Sequence, residues 1–180
     1  MSDTFKNIYD TCLEKNLTFA IFRLPGETNS TTYIQTEPRS IEYSSIHEIN
    51  EKKGFIMAPF DTRNGKKYIM VRPDITIDGD NGAEETLNRI KSLPGNNPPA
   101  WNKEDPVITG RKAYLNQVKS IQDQISTGAF QKAVLSRIKT INGNYLPHAV
   151  QIFHEVCNRH PNAFVYLFKS NDQFWLGASP

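Results

Sequence analysis

The sequence predicts an α+β fold, and three observations support this class. Apolar residues recur at helical spacing in several separate segments. Other segments alternate between polar and apolar residues and are joined by sequences that favour tight turns: Pro25-Gly26, Asn64-Gly65 and Ser170-Asn171-Asp172. The chain of 180 residues is long enough to bury a sizeable core, and its 11% aromatic content argues against disorder despite a mean hydropathy of -0.54.

The first elements are a helix and a hairpin. The helix has an apolar side with the spacing i, i+3, i+4, i+7, i+8, formed by Phe5, Ile8, Tyr9, Cys12 and Leu13. Ser2 is a candidate N-cap of this helix, and Asn16 can end it. Residues 17–24 alternate and are rich in Phe, Ile and Thr, which favours a strand. The Pro-Gly turn then predicts a partner strand at residues 31–36.

Further strands are predicted at residues 54–59 and 68–72, joined by the Asn-Gly turn. Residues 83–93 have a weaker helical pattern. The run from Pro94 to Pro99 excludes regular structure. We therefore divide the chain into an N-terminal subregion at 1–93, a Pro/Gly-rich connection at 94–108 and a second part at 109–180, all within one domain.

The second part begins with a predicted helix that Thr109 can cap and Gly128 can end, with an apolar stripe at Tyr114, Val118, Ile121 and Ile125. A strand is predicted to follow, from Phe130 to the Asn142-Gly143 turn. A third clear helix has Ala149, Ile152, Phe153, Val156 and Cys157 on one side. The pattern ends in a hairpin with strands at residues 163–169 and 173–178.

Lys132 is the candidate functional residue of this sequence. Alternation along the predicted strand places it on one face with Phe130, Val134, Ser136 and Ile138. A buried lysine is costly unless it is paired, or unless burial favours the neutral amine, which can then act as a base. The alternative is an edge-strand lysine that reaches solvent or pairs with a carboxylate, and spacing alone favours this alternative.

Several classes of function lack support. With 21 basic and 19 acidic residues the net charge is +2, and no basic stripe suggests nucleic acid. No apolar run approaches the roughly 18 residues that span a bilayer. Because no signal peptide is evident, Cys12 and Cys157 are expected to be reduced core thiols in a cytoplasmic protein. The four histidines lack metal-ligand spacing, and Asp74, Asp78 and Asp80 match a calcium loop only loosely.

Three ordered segments resemble the chorismate-binding enzymes, a family that includes isochorismate, salicylate, anthranilate and aminodeoxychorismate synthases. They are the helix that leads through Gly128 into Gln131-Lys132-Ala133-Val134-Leu135-Ser136-Arg137, then Pro161-Asn162-Ala163-Phe164-Val165-Tyr166, and finally Gly177-Ala178-Ser179-Pro180. Residues 54–60 are a looser match. The resemblance implies mainly antiparallel sheets packed together with helices outside, of which 1–180 is the N-terminal part and 109–180 begins the core.

The resemblance also implies a chemistry. Isochorismate and salicylate synthases of this family carry lysine at the position of Lys132 and use it to activate the water that attacks chorismate. Ammonia-using relatives usually carry glutamine there. The expected reaction is therefore isomerisation of chorismate to isochorismate, an intermediate of menaquinone and siderophore synthesis. Within the family, the alternatives are a salicylate synthase and an anthranilate or aminodeoxychorismate synthase. A non-catalytic α+β binding module is the alternative from another class.

In the family, the acidic residue that protonates the departing hydroxyl directly follows the Gly-Ala-Ser-Pro motif, and the Mg²⁺ ligands come later still. We therefore expect the Mg²⁺ ligands beyond residue 180. The 180-residue chain alone is expected to be inactive, and its uncovered apolar surface is expected to make it marginally stable or to cause self-association.

Overall fold

A computed structural model describes residues 3–37, 40–61, 65–79, 82–97, 108–171 and 173–179. The chain divides into two compact units, one formed by residues 1–101 with 145–180 and the other by residues 102–144. The predicted boundaries at 93 and 109 stay a prediction, and much of the predicted connection lies outside the described residues.

Within the described residues, the larger unit contains three α-helices and eight strands. The helices are α1 (Asp3–Glu14), α2 (Ala83–Ser92) and the helix near the end of the chain, Ala149–Arg159. The strands are β1 (Thr18–Arg23), β2 (Thr31–Gln35), β3 (Ile41–Tyr43), β4 (Phe55–Met57), β5 (Tyr68–Val71), β6 (Ile75–Asp78), β7 (Phe164–Ser170) and β8 (Gln173–Ser179). Short 3₁₀ helices lie at Ile46–Ile49 and Leu146–His148.

Five of the strands form one antiparallel sheet in the order β6-β2-β1-β7-β8. Two of the predicted hairpins, β1–β2 and β7–β8, are confirmed in this sheet. The predicted antiparallel pairing of β4 with β5 is confirmed as well, outside this sheet. The pairing of β1 with β7 joins the two hairpins of this sheet, with Ile21 opposite Leu167. This long-range pairing brings the end of the chain beside its beginning and so positions β8 at one edge of the sheet.

One face of this sheet is covered by the three helices. This face of the sheet carries Phe19 and Ile21 of β1 and Val165 and Leu167 of β7, and all four side chains are essentially inaccessible to solvent. The helices bury against them an apolar side formed by Phe5, Ile8, Tyr9, Cys12, Ile90, Phe153 and Cys157. The predicted apolar stripes of the first and last helices are therefore confirmed as core.

Both cysteines lie in this core as free thiols, as predicted. Burial raises the pKa of the Cys12 thiol to about 12, although the nearby Lys169 acts in the opposite direction. Burial also raises the pKa of the Cys157 thiol. Because the thiolate is the reactive form, both cysteines are expected to be inert.

The opposite face of the sheet packs against a second sheet of three strands in the order β3-β5-β4. The contact between the sheets is formed by Ala20, Phe55, Val71 and Phe168. The larger unit thus has a helix layer, a five-stranded sheet and a three-stranded sheet. This confirms an α+β fold with mostly antiparallel sheets and with helices on the outer side.

The smaller unit contains α3 (Arg111–Ser126) and the segment that follows it. In chain order, the helix Ala149–Arg159 of the larger unit is α4. Gly110, rather than the predicted Thr109, occupies the N-cap position of α3. Gly128 has φ +78°, the left-handed conformation that glycine adopts most easily, and it follows the end of the helix as predicted.

The strand predicted from Phe130 onward is wrong, because residues 129–144 form neither helix nor strand. The alternation and β-branched content of this segment suit a strand. A strand, however, exists only where a neighbouring segment exchanges backbone hydrogen bonds with it. Within the described part of its own unit, residues 108–144, no segment takes that role.

Asp74, which lies between β5 and β6, is hydrogen-bonded to the residue that follows β2. Its carboxylate accepts two hydrogen bonds from Thr36, from the backbone N–H and the hydroxyl, each 2.9 Å long, and it forms an ion pair with Arg72. Burial acts to raise the pKa of Asp74, but these hydrogen bonds and the Arg72 charge outweigh it and lower the pKa below its ordinary value of 3.8.

The lowered pKa of Asp74 makes its contribution to stability dependent on pH. The contribution is present above pH 3.8, the ordinary value, and is lost as the pH falls through the folded pKa. We expect Asp74→Asn to lower the free energy of unfolding by about 1 kcal/mol at neutral pH and by progressively less on acidification. Urea unfolding across the acid range tests this, with the exposed Asp78→Asn as control. A difference that does not depend on pH would contradict it.

Candidate functional site

Lys132 lies in the irregular segment after α3, and its side chain is exposed. Its apolar neighbours are exposed too: the exposed fractions are 38% for Phe130 and 85% for Val134. The prediction that Lys132 is buried is therefore wrong for this structure, because no element among the described residues 108–144 of its unit covers the segment. Its catalytic role stays a prediction.

Tyr114 of α3 holds the segment that follows Lys132. The Tyr114 hydroxyl donates a long hydrogen bond of 3.5 Å to the carbonyl oxygen of Leu135. The Arg137 guanidinium lies 5.5 Å from the centre of the Tyr114 ring, within the range of a cation–π contact. Tyr114 belongs to the predicted apolar stripe of α3, although no residue of α3 is buried.

The buried lysine of the described chain is Lys169, on β7. Its ammonium donates to the side-chain oxygen of Asn16, to the carbonyl oxygen of Leu17 at 3.3 Å and to that of Asn171 at 3.2 Å. Asn16, at φ +53°, ends α1 as predicted. Lys169 thus satisfies backbone and side-chain oxygens where α1 turns into β1, which is a structural role.

A cleft lined by aromatic rings lies between the two sheets of the larger unit. It measures about 440 Å³ and is lined by Phe22, Tyr33, Gly54, Phe55, Ile56, Met57, Phe164 and Tyr166. Phe55 is its buried centre, with ring centroids of Phe22 and Tyr166 both 5.8 Å away. The lining is apolar apart from the two tyrosine hydroxyls, so the cleft offers ring stacking and hydrogen bonding.

Two glycines shape the walls of this aromatic cleft. A Cβ on Gly54 would lie 2.8 Å from the carbonyl oxygen of Val71, so the close approach of β4 to β5 requires glycine there. Gly177 on β8 is directly opposite Tyr166 on β7. The Tyr166 ring lies over Gly177, where an added Cβ would be 2.6 Å from ring atoms.

We expect Gly177→Ala to displace the Tyr166 ring and to lower the free energy of unfolding by about 1–3 kcal/mol, the usual cost of overpacking. Chemical denaturation measures the loss. In the double variant with Tyr166→Leu, the smaller and more flexible side chain should restore part of it. Equal effects of Gly177→Ala in both backgrounds would contradict the proposed contact.

A second concave region of about 670 Å³ lies between α1 and α4. Its floor is apolar, with Tyr9, Leu13 and Val150, and its rim carries Lys6, Asp10, Gln151 and His154. The rim charges are largely engaged with each other, since the Lys6 ammonium lies 3.7 Å from the Asp10 carboxylate. Neither this groove nor the aromatic cleft contains Lys132.

In the described ranges, no group of three or more His, Cys, Asp or Glu side chains is placed to hold a metal ion. No helix among them is both long and apolar enough to cross a membrane. The described residues therefore provide no ligand set for the Mg²⁺ ion that the family resemblance implies.

Comparison with known protein families supplies the deciding observation. A model of the family described as chorismate binding enzyme matches residues 62–180, about two thirds of the chain. The chain belongs to the chorismate-binding enzyme family. The match contains both Lys132 and the Gly177-Ala178-Ser179 strand. Searches of the curated proteins and of the solved structures found no match.

The family match begins at residue 62, so only some residues that line the aromatic cleft of this chorismate-binding family member lie within the match. Phe164 and Tyr166 lie within the matched residues, whereas Phe22, Tyr33 and Phe55 lie before them. Sequence reasoning missed this cleft. Its only local signal was the alternation of aromatic residues along β7, which does not reveal that β1 and β4 complete the walls.

Proposed function

We propose that the protein is an isochorismate synthase, which isomerises chorismate to isochorismate. The observation that carries this proposal is a lysine at position 132, within the segment matched to the family. Membership of the family supports chorismate as the substrate. The lysine supports water rather than ammonia as the nucleophile.

In the proposed reaction, the Lys132 amine takes a proton from water as the water oxygen bonds to a ring carbon of chorismate. The ring double bonds shift and a hydroxyl group departs from another ring carbon, taking up a proton from an acid. The atoms balance, because one water molecule adds and one is released. The role of Lys132 is that of a general base.

A general base must be uncharged, and removal from water is the usual means of favouring the neutral form of an amine. Lys132 is exposed here, so the proposal requires the segment at residues 129–144 to be covered when chorismate is bound. Phe130, Val134 and Ile138 are exposed apolar side chains on this segment that covering would bury.

Magnesium belongs to the proposal because the resemblance implies it, as the ion that holds the substrate carboxylate. The described residues do not offer a cluster that fits it. No step is therefore derived through the ion. Loss of product formation on chelation, with recovery on adding Mg²⁺, is the expected result for the natural polypeptide in full.

Product identification tests the proposal. The natural polypeptide in full is incubated with chorismate and Mg²⁺, with and without ammonium, and the products are separated and identified by NMR. Isochorismate in both mixtures supports the proposal. Salicylate with pyruvate, or anthranilate or aminodeoxychorismate that requires ammonium, would assign the chain to a different reaction of the family. Binding of chorismate without any product would favour the binding module.

A further inference from the structure

The segment of sequence between α3 and α4 contains the pair Asn142-Gly143. Both residues lie in the range 129–144, which forms neither helix nor strand, and both are exposed. Gly143 has φ +154°, a backbone conformation that residues with a side chain rarely adopt. The backbone nitrogen that follows the Asn142 amide is therefore carried by a residue without a Cβ, in a part of the chain without regular structure.

The position of this pair outside regular structure does not depend on whether residues 129–144 are covered. The structure gives the whole range an irregular backbone. The sequence pattern that predicts a strand from Phe130 onward ends that strand at Asn142-Gly143, because Asn-Gly favours a turn. In both cases the pair lies in a connection, and connections run over the protein surface.

We propose that Asn142 is a modification site, at which the side-chain amide is lost by attack of the Gly143 backbone nitrogen. This nitrogen bonds to the side-chain carbonyl carbon of Asn142, and the amide nitrogen leaves as ammonia with the proton of the Gly143 N–H. One water molecule then opens the five-membered imide at either of its two carbonyl carbons. The products are aspartate and isoaspartate, and one water is consumed for each ammonia released. The modification is independent of the proposed isochorismate synthase activity.

The glycine distinguishes Asn142 from other asparagines near it in the sequence. The attacking nitrogen must approach the side-chain carbonyl carbon closely, and a Cβ on the following residue hinders that approach. Asn144 lies in the same irregular range but is followed by Tyr145. Asn158 lies within α4, where the helix fixes the backbone. In the other two Asn-Gly pairs of the chain, at 64–65 and 81–82, the asparagine lies outside the described residues.

The conversion changes both the charge and the backbone of this segment. It replaces a neutral amide by a carboxylate in the same irregular range as Lys132, which lowers the net charge of the chain by one from its value of +2. Isoaspartate also adds one carbon atom to the main chain just before the 3₁₀ helix Leu146–His148, because the chain then continues through the side chain. Modified molecules are therefore separable from unmodified ones by ion exchange.

Peptide mapping by mass spectrometry tests the proposal. The natural polypeptide in full is incubated at mildly alkaline pH and then digested in mildly acidic buffer, which suppresses conversion during digestion. Trypsin cleaves after Lys139 and Arg159, so Asn142, Asn144 and Asn158 fall in one peptide. Asn142 should gain the mass difference between an amide and a carboxylate in two chromatographic forms, while Asn144 and Asn158 stay unchanged. The converted fraction should increase with time and with pH, because the attacking nitrogen must give up its proton.

Two variants separate this reaction from direct hydrolysis of the amide. Gly143→Ala should lose the conversion over the same incubation, because its Cβ hinders the attacking nitrogen. Asn142→Gln keeps the amide and the glycine but should lose the conversion as well, since its longer side chain closes a ring less readily. Circular dichroism establishes that each variant is folded. An unmodified Asn142, equal conversion of Asn144, undiminished conversion in either variant, or aspartate without isoaspartate would overturn the proposal.

Discussion

Replacing Lys132 by alanine is expected to abolish measurable isochorismate formation by the natural polypeptide in full. General bases contribute about 10²–10⁴-fold to the rate, so kcat should fall by at least that range. Binding of chorismate should change little, because the proposed role of the amine is to accept a proton from water rather than to hold the substrate. Steady-state kinetics and equilibrium titration with chorismate separate these two effects.

The matched control for this substitution is Lys139→Ala, which removes another exposed lysine from the same segment. Its kcat should equal that of the wild type, which excludes a general effect of losing positive charge after α3. Lys132→Gln should also lose turnover, because glutamine keeps a polar side chain of similar length but cannot accept the proton. Undiminished turnover in Lys132→Ala would remove this residue from the mechanism.

The sequence predicted those elements whose signals are local. The apolar spacing of Phe5, Ile8 and Cys12 sufficed for α1, because one side of a helix repeats within a few residues. The turn residues sufficed for the β1–β2 and β7–β8 hairpins. Two short strands were missed: β3 (Ile41–Tyr43) and β6 (Ile75–Asp78). They have three and four residues, which is too few for alternation alone, and no turn sequence links them as Asn64-Gly65 links the equally short β4 and β5.

Lys132, on the predicted strand that does not form, and Lys169, on β7, show where local pattern fails. Lys132 and Lys169 both occur among apolar residues, yet only Lys169 is buried. The difference comes from distant residues: Asn16 and Leu17 lie about 150 positions earlier and provide acceptors for Lys169. Such acceptors follow from the β1–β7 pairing, which no short window of sequence contains. Among residues 108–144, the described part of its own unit, no comparable set of acceptors surrounds Lys132.

Arg23 is expected to be the polar side chain on which the stability of the larger unit depends most. It lies on β1 and is only 6% exposed. Its guanidinium donates to the carbonyl oxygens of Cys157 at 2.8 Å, His160 at 2.6 Å and Ala163 at 3.0 Å. These oxygens belong to the end of α4 and the turn into β7. A cation there satisfies carbonyls that the helix leaves unpaired and complements its dipole.

Replacing Arg23 by methionine should lower the free energy of unfolding by about 3–5 kcal/mol. Methionine keeps much of the aliphatic volume but leaves three carbonyl oxygens without this donor, two of them in buried contacts. Arg23→Lys should recover only part of the loss, because an ammonium lacks the planar spread of donors that reaches separate carbonyls. Urea unfolding measures both variants against Arg89→Met, the same substitution on the exposed side of α2. If Arg23→Met were as stable as that control, the three contacts would not be what holds the end of α4 against the sheet.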